Sequence, residues 1–580
     1  MLYNVAAKRK TWHNIKTAVL KKTQGNEGNT SMKKITALLL AIFIAVSFAG
    51  CASKTDTDTQ QTESVTESAA QTAEAVTDTD ISAKETTSAF SVTTADGAFE
   101  NSGNVYTLTT AGTYALEGFL EGQIVVDAGD DDEVVIELSG ATISCGTDSP
   151  IKILNADKVE ISAKKNTENV INDTRSSSLT DDTLGKGAIY AKCDLKMKGK
   201  GTLVVNSVYN NGIHTTKDLE IQNLSLKVTA PSTALKGDDS VTVTSGEVVA
   251  ISTGGDGIKT ENTDVSKKGV TRGDIIICGG SVTVYAAGDA FQAAHSFEMS
   301  AGESEPAVTV YTGSYSGYTS SDAATTSYKG VKVQNEINIL AGSITLQTYD
   351  DGLHADYGTA FDDGQSGLGT INISGGTVTM NVYAPENKTA GGRMGPGRWG
   401  GQQTVIGADG IHADGTLNIS GGEINIDSAY EGLEANIINV SGGKTYVAAN
   451  DDGVNACKGD SAPQINVTGG YLDVTVSPNG DTDGIDSNGT YNQTGGVVIT
   501  RGPGSDMAAA IDADGSVNIS SGTLIVLGYG RVSTGGNVKQ VSLSLHSSGS
   551  HTVTVDGTKY TFTNSNGYSS TSCYSDASVS

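Results

Sequence analysis

Asp409-Gly410-Ile411-His412-Ala413-Asp414-Gly415-Thr416-Leu417-Asn418-Ile419-Ser420-Gly421-Gly422-Glu423-Ile424-Asn425-Ile426 is the stretch that decides the fold. Apolar and polar residues alternate through it in three short runs, each of which buries one face of a β-strand. Gly421-Gly422 supplies a corner tighter than β-branched neighbours could form. The unit starts again at Glu431-Gly432-Leu433-Glu434-Ala435, followed by Ile438-Asn439-Val440-Ser441-Gly442-Gly443. Other copies open at Asn211-Gly212-Ile213-His214, Asp256-Gly257-Ile258-Lys259, Asp351-Gly352-Leu353-His354, Asp452-Gly453-Val454-Asn455 and Asp483-Gly484-Ile485-Asp486.

Where no insertion intervenes, the period is about 22 residues, enough for three strands and three corners. The expected fold is all-β: a right-handed, single-stranded parallel β-helix, the hand following from the general preference of parallel crossovers. Leucine-rich repeats need a different Leu/Asn pattern, and propeller blades need about 40 residues and antiparallel hairpins. Residues 151–530 form the expected helix. Residues 92–150 and 531–580 form irregular β caps, because a solenoid must cover its two ends. Insertions near 172–185, 261–272, 303–327, 357–369 and 385–405 leave mostly from the same two corners, which predicts walls along one or two edges.

Composition agrees with this reading. Among 580 residues there are 72 Gly and 8 Pro, and only 6% are aromatic, which suits many short strands joined by tight turns. A net charge of −28 argues against nucleic acid and anionic lipid as partners, since phosphate binding requires clustered Lys and Arg. Met32-Lys33-Lys34 and the apolar stretch Ile35 to Phe48 form a signal peptide over 32–50, too short for a membrane span. Phe48-Ala49-Gly50-Cys51 resembles a bacterial lipobox, so Cys51 is the expected lipidation site and residues 1–31 lie upstream of the true start. Residues 51–91 carry almost no large apolar side chain and form an acidic, disordered tether. The expected location is the extracellular face of the cytoplasmic membrane, reached through the lipid anchor alone, with the body a monomer.

Equivalent positions of successive coils stack above one another. Before the repeat Gly stand Asp256, Asp289, Asp351, Asp409, Glu431, Asp452 and Asp483, with Asp350 and Asp451 adding a second carboxylate. Like charges at coil spacing repel by about 1 kcal/mol per neighbour in water and by more inside a protein. Bound cations or turn hydrogen bonds would offset this. Hard oxygens at such density suit Ca²⁺, expected at Asp350, Asp351, Asp409, Asp451, Asp452 and Asp483. The alternative is that Asp before Gly simply bonds its own turn. Two places after the Gly stand His214, Lys236, Lys259, Gln292, Lys332, His354, His412, Glu434, Asn455 and Asp486. The gaps between coils are expected to keep most of the histidines apart. The cysteines have no CxxC spacing, and no nucleophile elbow, phosphate loop or zinc motif is present.

Sugar-binding sites expose aromatics that stack on pyranose rings. Candidates here are Trp399, flanked by Arg393 and Arg398 in a Gly-rich segment, together with Tyr349 and Tyr383. Further residues carry a family resemblance: Gly122-Gln123-Ile124-Val125-Val126-Asp127-Ala128-Gly129, Thr167-Glu168-Asn169, Gly201-Thr202-Leu203-Val204-Val205, Ala234-Leu235-Lys236-Gly237-Asp238-Asp239 and Gly255-Asp256-Gly257-Ile258-Lys259. Over about residues 95–530 the chain resembles the secreted clostridial-type β-helix proteins with a carbohydrate-binding domain, a former domain of unknown function. The resemblance implies binding to cellulose and to acidic, pectin-like polysaccharides, with calcium in the helix, on a scaffold similar to pectate lyases. A calcium-dependent polysaccharide (pectate) lyase is the competing expectation, with Lys259, Lys332 and Arg393 as available bases. A structural or adhesive surface protein is the third.

Overall fold

The computed structural model describes residues 89–580 except 320–326, 362, 384–406, 458, 479, 481, 505–507, 546, 565–567 and 569. The signal peptide, Cys51 and the tether lie outside the described residues. What is described is all-β, apart from one short 3-10 turn at Gly313–Ser316. Among these residues no helix is long and apolar enough to cross a membrane.

From Ile151–Asn155 to Val331–Val333 each strand pairs in parallel with the third strand after it, and further on long strands such as Ile411–Ile419 serve two ladders at once. A first ladder runs through Asn211–Thr215, Leu235–Gly237, Ile258–Lys259, Phe291–Ala293, Val331–Val333, Leu353–Ala355 and on to Ile485–Ser487. A second includes Glu336–Ile339, Thr370–Ile373 and Gln464–Val467. A third includes Ser281–Ala286, Ala307–Thr312, Ser343–Thr348 and Thr377–Val382. The alternation seen in the sequence becomes an inside and an outside: Ile337, Ile371, Leu417, Ile438 and Ile465 stack in register and are fully buried. Each such side chain contributes about 1.5–3 kcal/mol relative to exposure.

The corners explain the glycines. Gly422 has φ of +79°, whereas Gly421 is required by contact: a Cβ there would lie 2.3 Å from the Ser374 carbonyl oxygen of the preceding coil. A β-carbon at either place would break the coil spacing.

Outside the second ladder runs a feature the sequence reading missed. Asn372 Nδ2 donates to Asn338 Oδ1, Asn418 to Asn372, Asn439 to Asn418, and Asn466 to Asn439, at 2.9–3.0 Å. Asn492 and Asn518 continue the file at 3.4 and 3.2 Å. Each amide both donates and accepts along the stacking direction, so it fixes register as well as satisfying itself.

Parallel pairing already starts within residues 92–150, where Gly112–Glu121 pairs with Glu133–Cys145, and Val105–Leu108 with Gln123–Asp127. These turns lack the Gly-Gly repeat, so their sequence does not announce them. Antiparallel strands close the ends: Ser91–Thr94 on Gly112–Glu121, and Thr571–Ser575 on Ser516–Leu527. Cys145, Cys193, Cys457 and Cys573 are free thiols.

Residues 174–186 lie between strands of the third and first ladders, and 261–273 and 356–369 between strands of the first and second. The expected insertion at 303–327 is corrected, since Ala307–Thr312 within it is a strand of the third ladder, and the one at 385–405 lies outside the described residues. The segments 261–273 and 356–369 meet, Thr271 Oγ1 donating to Asp363 Oδ2 at 2.6 Å.

Asn439→Ala removes two links of the amide file and leaves Asn418 and Asn466 short of a partner. The expected loss is about 1–3 kcal/mol, read as a lower urea midpoint with an unchanged far-ultraviolet circular dichroism spectrum.

Candidate functional site

The acidic corner residues are positioned by one repeated contact. At each of the corner aspartates one carboxylate oxygen accepts the backbone N–H of the equivalent residue one coil further on. Asp256 accepts from Asp289 at 3.1 Å, Asp289 from Lys329 at 2.8 Å, Asp351 from Asp409 at 2.8 Å, Asp452 from Asp483 at 2.7 Å, and Asp483 from Ala509 at 2.6 Å. Asp409 makes the same contact to Glu431 at 3.4 Å. The aspartates thus bond between coils rather than within their own turn. Where the residue three places on is basic, it takes the other oxygen: Lys259 on Asp256 at 3.0 Å, His354 on Asp351 at 2.7 Å, and His412 on Asp409 at 2.9 Å.

Asp351 and Asp409 lie in adjacent coils, so His354 and His412 stack, with ring centroids 4.7 Å apart and planes 22° from parallel. The expectation that gaps in the sequence keep the histidines apart is corrected here. The long stretch of chain between Leu353–Ala355 and Ile411–Ile419 does not change the register of the first ladder. The far nitrogen of each ring is held by a further carboxylate, His354 Nε2 by Asp356 at 2.9 Å and His412 Nε2 by Asp414 at 3.2 Å.

Beside them is a concavity of about 390 Å³ lined by Lys329, Asp350, Asp351, Gly407, Asp409, His412, Tyr430, Glu431 and Glu434. Lys329 Nζ sits 2.9 Å from Asp350 Oδ1 and 2.7 Å from Asp351 Oδ2. Against the downward push of burial, these two charges hold the ammonium above the usual lysine range. Burial works to raise Asp351, but the hydrogen bond from His354 and the Lys329 charge hold it well below the carboxylate range. Further along, compensation fails. Burial pushes Asp409 up to about 7, against its bond from His412. Burial and the charges of Asp409, Glu434 and Asp452 push Glu431 up to about 9. Burial, with Asp451, Asp483 and Asp486 nearby, pushes Asp452 up to about 8.

A tyrosine cluster stands at the same corner. Tyr349 and Tyr383 stack with centroids 4.3 Å apart and planes 13° from parallel. Tyr328 and Tyr315 meet Tyr349 edge-on, at 6.0 and 6.3 Å. Tyr383 is 40% exposed, so an aromatic surface remains open to solvent. Strand ends bring the pair together: Tyr349 follows Ser343–Thr348 and Tyr383 follows Thr377–Val382, neighbours in the third ladder.

The expected site residues therefore divide. Asp350, Asp351 and Asp409 converge on the concavity, with Tyr349 beside them. Asp451, Asp452 and Asp483 form a separate acidic group further along the stack, where the Tyr430 hydroxyl bonds Asp451. Around Asp351 and Asp409 the donors include imidazole and ammonium nitrogen, a set unlike the all-oxygen shell Ca²⁺ takes, whereas the Asp451, Asp452 and Asp483 group is all oxygen. Lys259 and Lys332 do not line the concavity. Lys259 pairs with Asp256, and Lys332 stacks one coil before His354. Arg393, Arg398 and Trp399 lie outside the described residues. Lys329, Glu431 and Glu434 escaped the sequence reading as site residues. Glu434 was legible as the residue in register after His412, and Lys329 as the residue before the repeat Gly330, in register between Asp289 and Asp351.

A family model described as carbohydrate-binding domain-containing protein matches residues 102–382 and 359–453. The chain belongs to this family. The matched residues contain the whole concavity and the tyrosine cluster. A carbohydrate-binding domain-containing protein of Acetivibrio thermocellus (strain ATCC 27405) is 36% identical over 126 residues, which are 21% of this chain and 44% of the relative. The chain thus matches less than half of that relative's length. A solved structure described as the polysaccharide lyase-like protein from C. thermocellum, gadolinium derivative, shares 30% identity at a TM-score of 0.36, covering 42% of this chain and 90% of that one.

Glu431 is raised from an ordinary 4.5 to about 9, so the stability it supplies is full below about pH 4.5 and is lost as pH rises toward 9. In chelated protein, Glu431→Gln is expected to raise the urea midpoint at pH 8 by the equivalent of about 1–3 kcal/mol. At pH 4.5 it should change little; equal shifts at both pH values would mean that packing, not charge, is responsible.

Proposed function

We propose that this carbohydrate-binding domain holds a polysaccharide chain at the cell surface without cleaving it, on a right-handed parallel β-helix anchored through Cys51. The observation that carries this reading is the stacked Tyr349–Tyr383 pair, one ring open to solvent, at the edge of a concavity rich in carboxylate acceptors. An exposed ring covers the apolar C–H face of a pyranose, while carboxylates accept its hydroxyls. That combination favours a neutral plant-type chain such as cellulose. An acidic, pectin-like chain would need a cation between its carboxylates and those of the protein. Calcium would supply that charge at Asp451, Asp452 and Asp483, where the oxygen donors suit it.

Lysis is the weaker reading on chemical grounds. A base for β-elimination must be unprotonated and within reach of the reacting proton. Lys329, the lysine at the concavity, is bonded to two carboxylates and held protonated.

Insoluble cellulose and polygalacturonate, each with calcium and with chelator, provide the test. Retention of the purified chain is expected to fall at least about tenfold in Tyr349→Ala and Tyr383→Ala, equivalent to ~1.4 kcal/mol. Undiminished retention in both variants would remove the tyrosine surface from the reading. Growth of ultraviolet absorbance from unsaturated product on polygalacturonate would replace binding by lysis.

A further inference from the structure

Asp409, His412 and Glu434 turn three donor atoms toward one point. His412 Nδ1 lies 2.9 Å from Asp409 Oδ2 and 2.9 Å from Glu434 Oε2. The two carboxylates are themselves within hydrogen-bond reach of each other. Carboxylate oxygens only accept, and one ring N–H cannot satisfy two of them well. All three residues line the concavity, and the three donor atoms lie within 4.8 Å of one another.

The preceding coil shows what completes such a set. There, Asp351 and His354 repeat the Asp409–His412 pair, and Lys329 Nζ fills the space beside Asp351 Oδ2 at 2.7 Å. At Asp409 no such ammonium is present: the residue one coil earlier in its register is Asp351, and the carboxylate of Glu434 approaches from the coil after. Among the described residues no Lys or Arg pairs with Asp409 or Glu434.

A second observation points the same way. His412 Nε2 is held by Asp414 at 3.2 Å, which leaves Nδ1 as the nitrogen facing the carboxylates. A carboxylate on the far nitrogen is how proteins fix the tautomer and orientation of a metal-binding imidazole. Nearby, the Cys457 thiol bonds the Glu434 carboxylate.

We propose that Asp409 Oδ2, His412 Nδ1 and Glu434 Oε2 bind a divalent transition metal of the zinc type, with a coordination position facing the concavity. One imidazole with two carboxylates suits Zn²⁺ or Co²⁺ better than Ca²⁺, which takes six to eight oxygens. In the metal-free protein a proton on Nδ1 bridges the two carboxylates, and the ion takes that proton's place. The site goes beyond the polysaccharide reading and stands without it, because it concerns the metal alone.

The test titrates ZnCl₂ and CoCl₂ by calorimetry into the full chain after chelation, without glycan. One equivalent of Zn²⁺ is expected to bind, and a hundredfold excess of Ca²⁺ should not displace it. His412→Ala and Glu434→Gln should each weaken binding at least about tenfold, and Cys457→Ser should weaken it less. Co²⁺ should give visible ligand-field absorption that His412→Ala abolishes, with circular dichroism confirming that the variant is folded. Asp414→Asn keeps the ligands and is expected to weaken binding by about tenfold through the lost orienting bond. No binding by the wild-type chain would overturn the proposal, as would binding unchanged in both His412→Ala and Glu434→Gln, or equal competition by Ca²⁺.

Discussion

One hydrogen bond organises both the stack and its site: a corner carboxylate accepting the backbone N–H of the equivalent residue in the next coil. It ties the turn of one coil to the turn of the next at the place where insertions enter. Elsewhere the register of the parallel stack is set by its buried aliphatic face and by the asparagine file. At the corner the Asp–N–H bond sets it, because only one residue of the next coil presents its amide there. Asp351 and Asp409, 58 residues apart, meet through it.

The same bond has an electrostatic consequence. Each carboxylate is half-used by a neutral donor, so its charge must be balanced elsewhere or tolerated. Along the first ladder the balance changes. Lys259 answers Asp256, and Lys329 with His354 answers Asp351; Asp409 shares His412 with Glu434, and Asp452 is faced by the acids Asp451, Asp483 and Asp486. Stability argues against such an uncompensated run, since burial without a partner charge costs several kcal/mol per ion. Strain of this kind is kept at functional sites more often than elsewhere. That the tyrosine pair and the concavity lie at the same corner is consistent with a ligand, rather than the fold, being the reason for the acids.

The amide file on the second ladder makes a useful contrast. Asn338, Asn372, Asn418, Asn439 and Asn466 are uncharged and self-complementary, so stacking them satisfies donors and acceptors without repulsion. It can therefore run long without help, whereas the acidic file cannot.

Much was legible in the residues alone. Alternation of apolar residues, the Gly-Gly corners and the spacing of Asp-Gly units determined the coil, its three strands and which residues share a ladder. Lys332, His354, His412, Glu434 and Asn455 indeed follow one another in register. Period-2 patterning and glycine conformation are local properties, so they survive in one dimension. What only the tertiary structure decided was the set of actual neighbours. Closing a loop costs free energy that grows slowly with its length, so insertions of very different size return the chain to the same register, and sequence distance says nothing about contact. Hence the stacking of His354 on His412, the arrival of Lys329 between Asp350 and Asp351, and the pairing of Tyr349 with Tyr383 were hidden. Each depends on two coils lying one strand spacing apart, a distance that exists only once the chain has closed on itself.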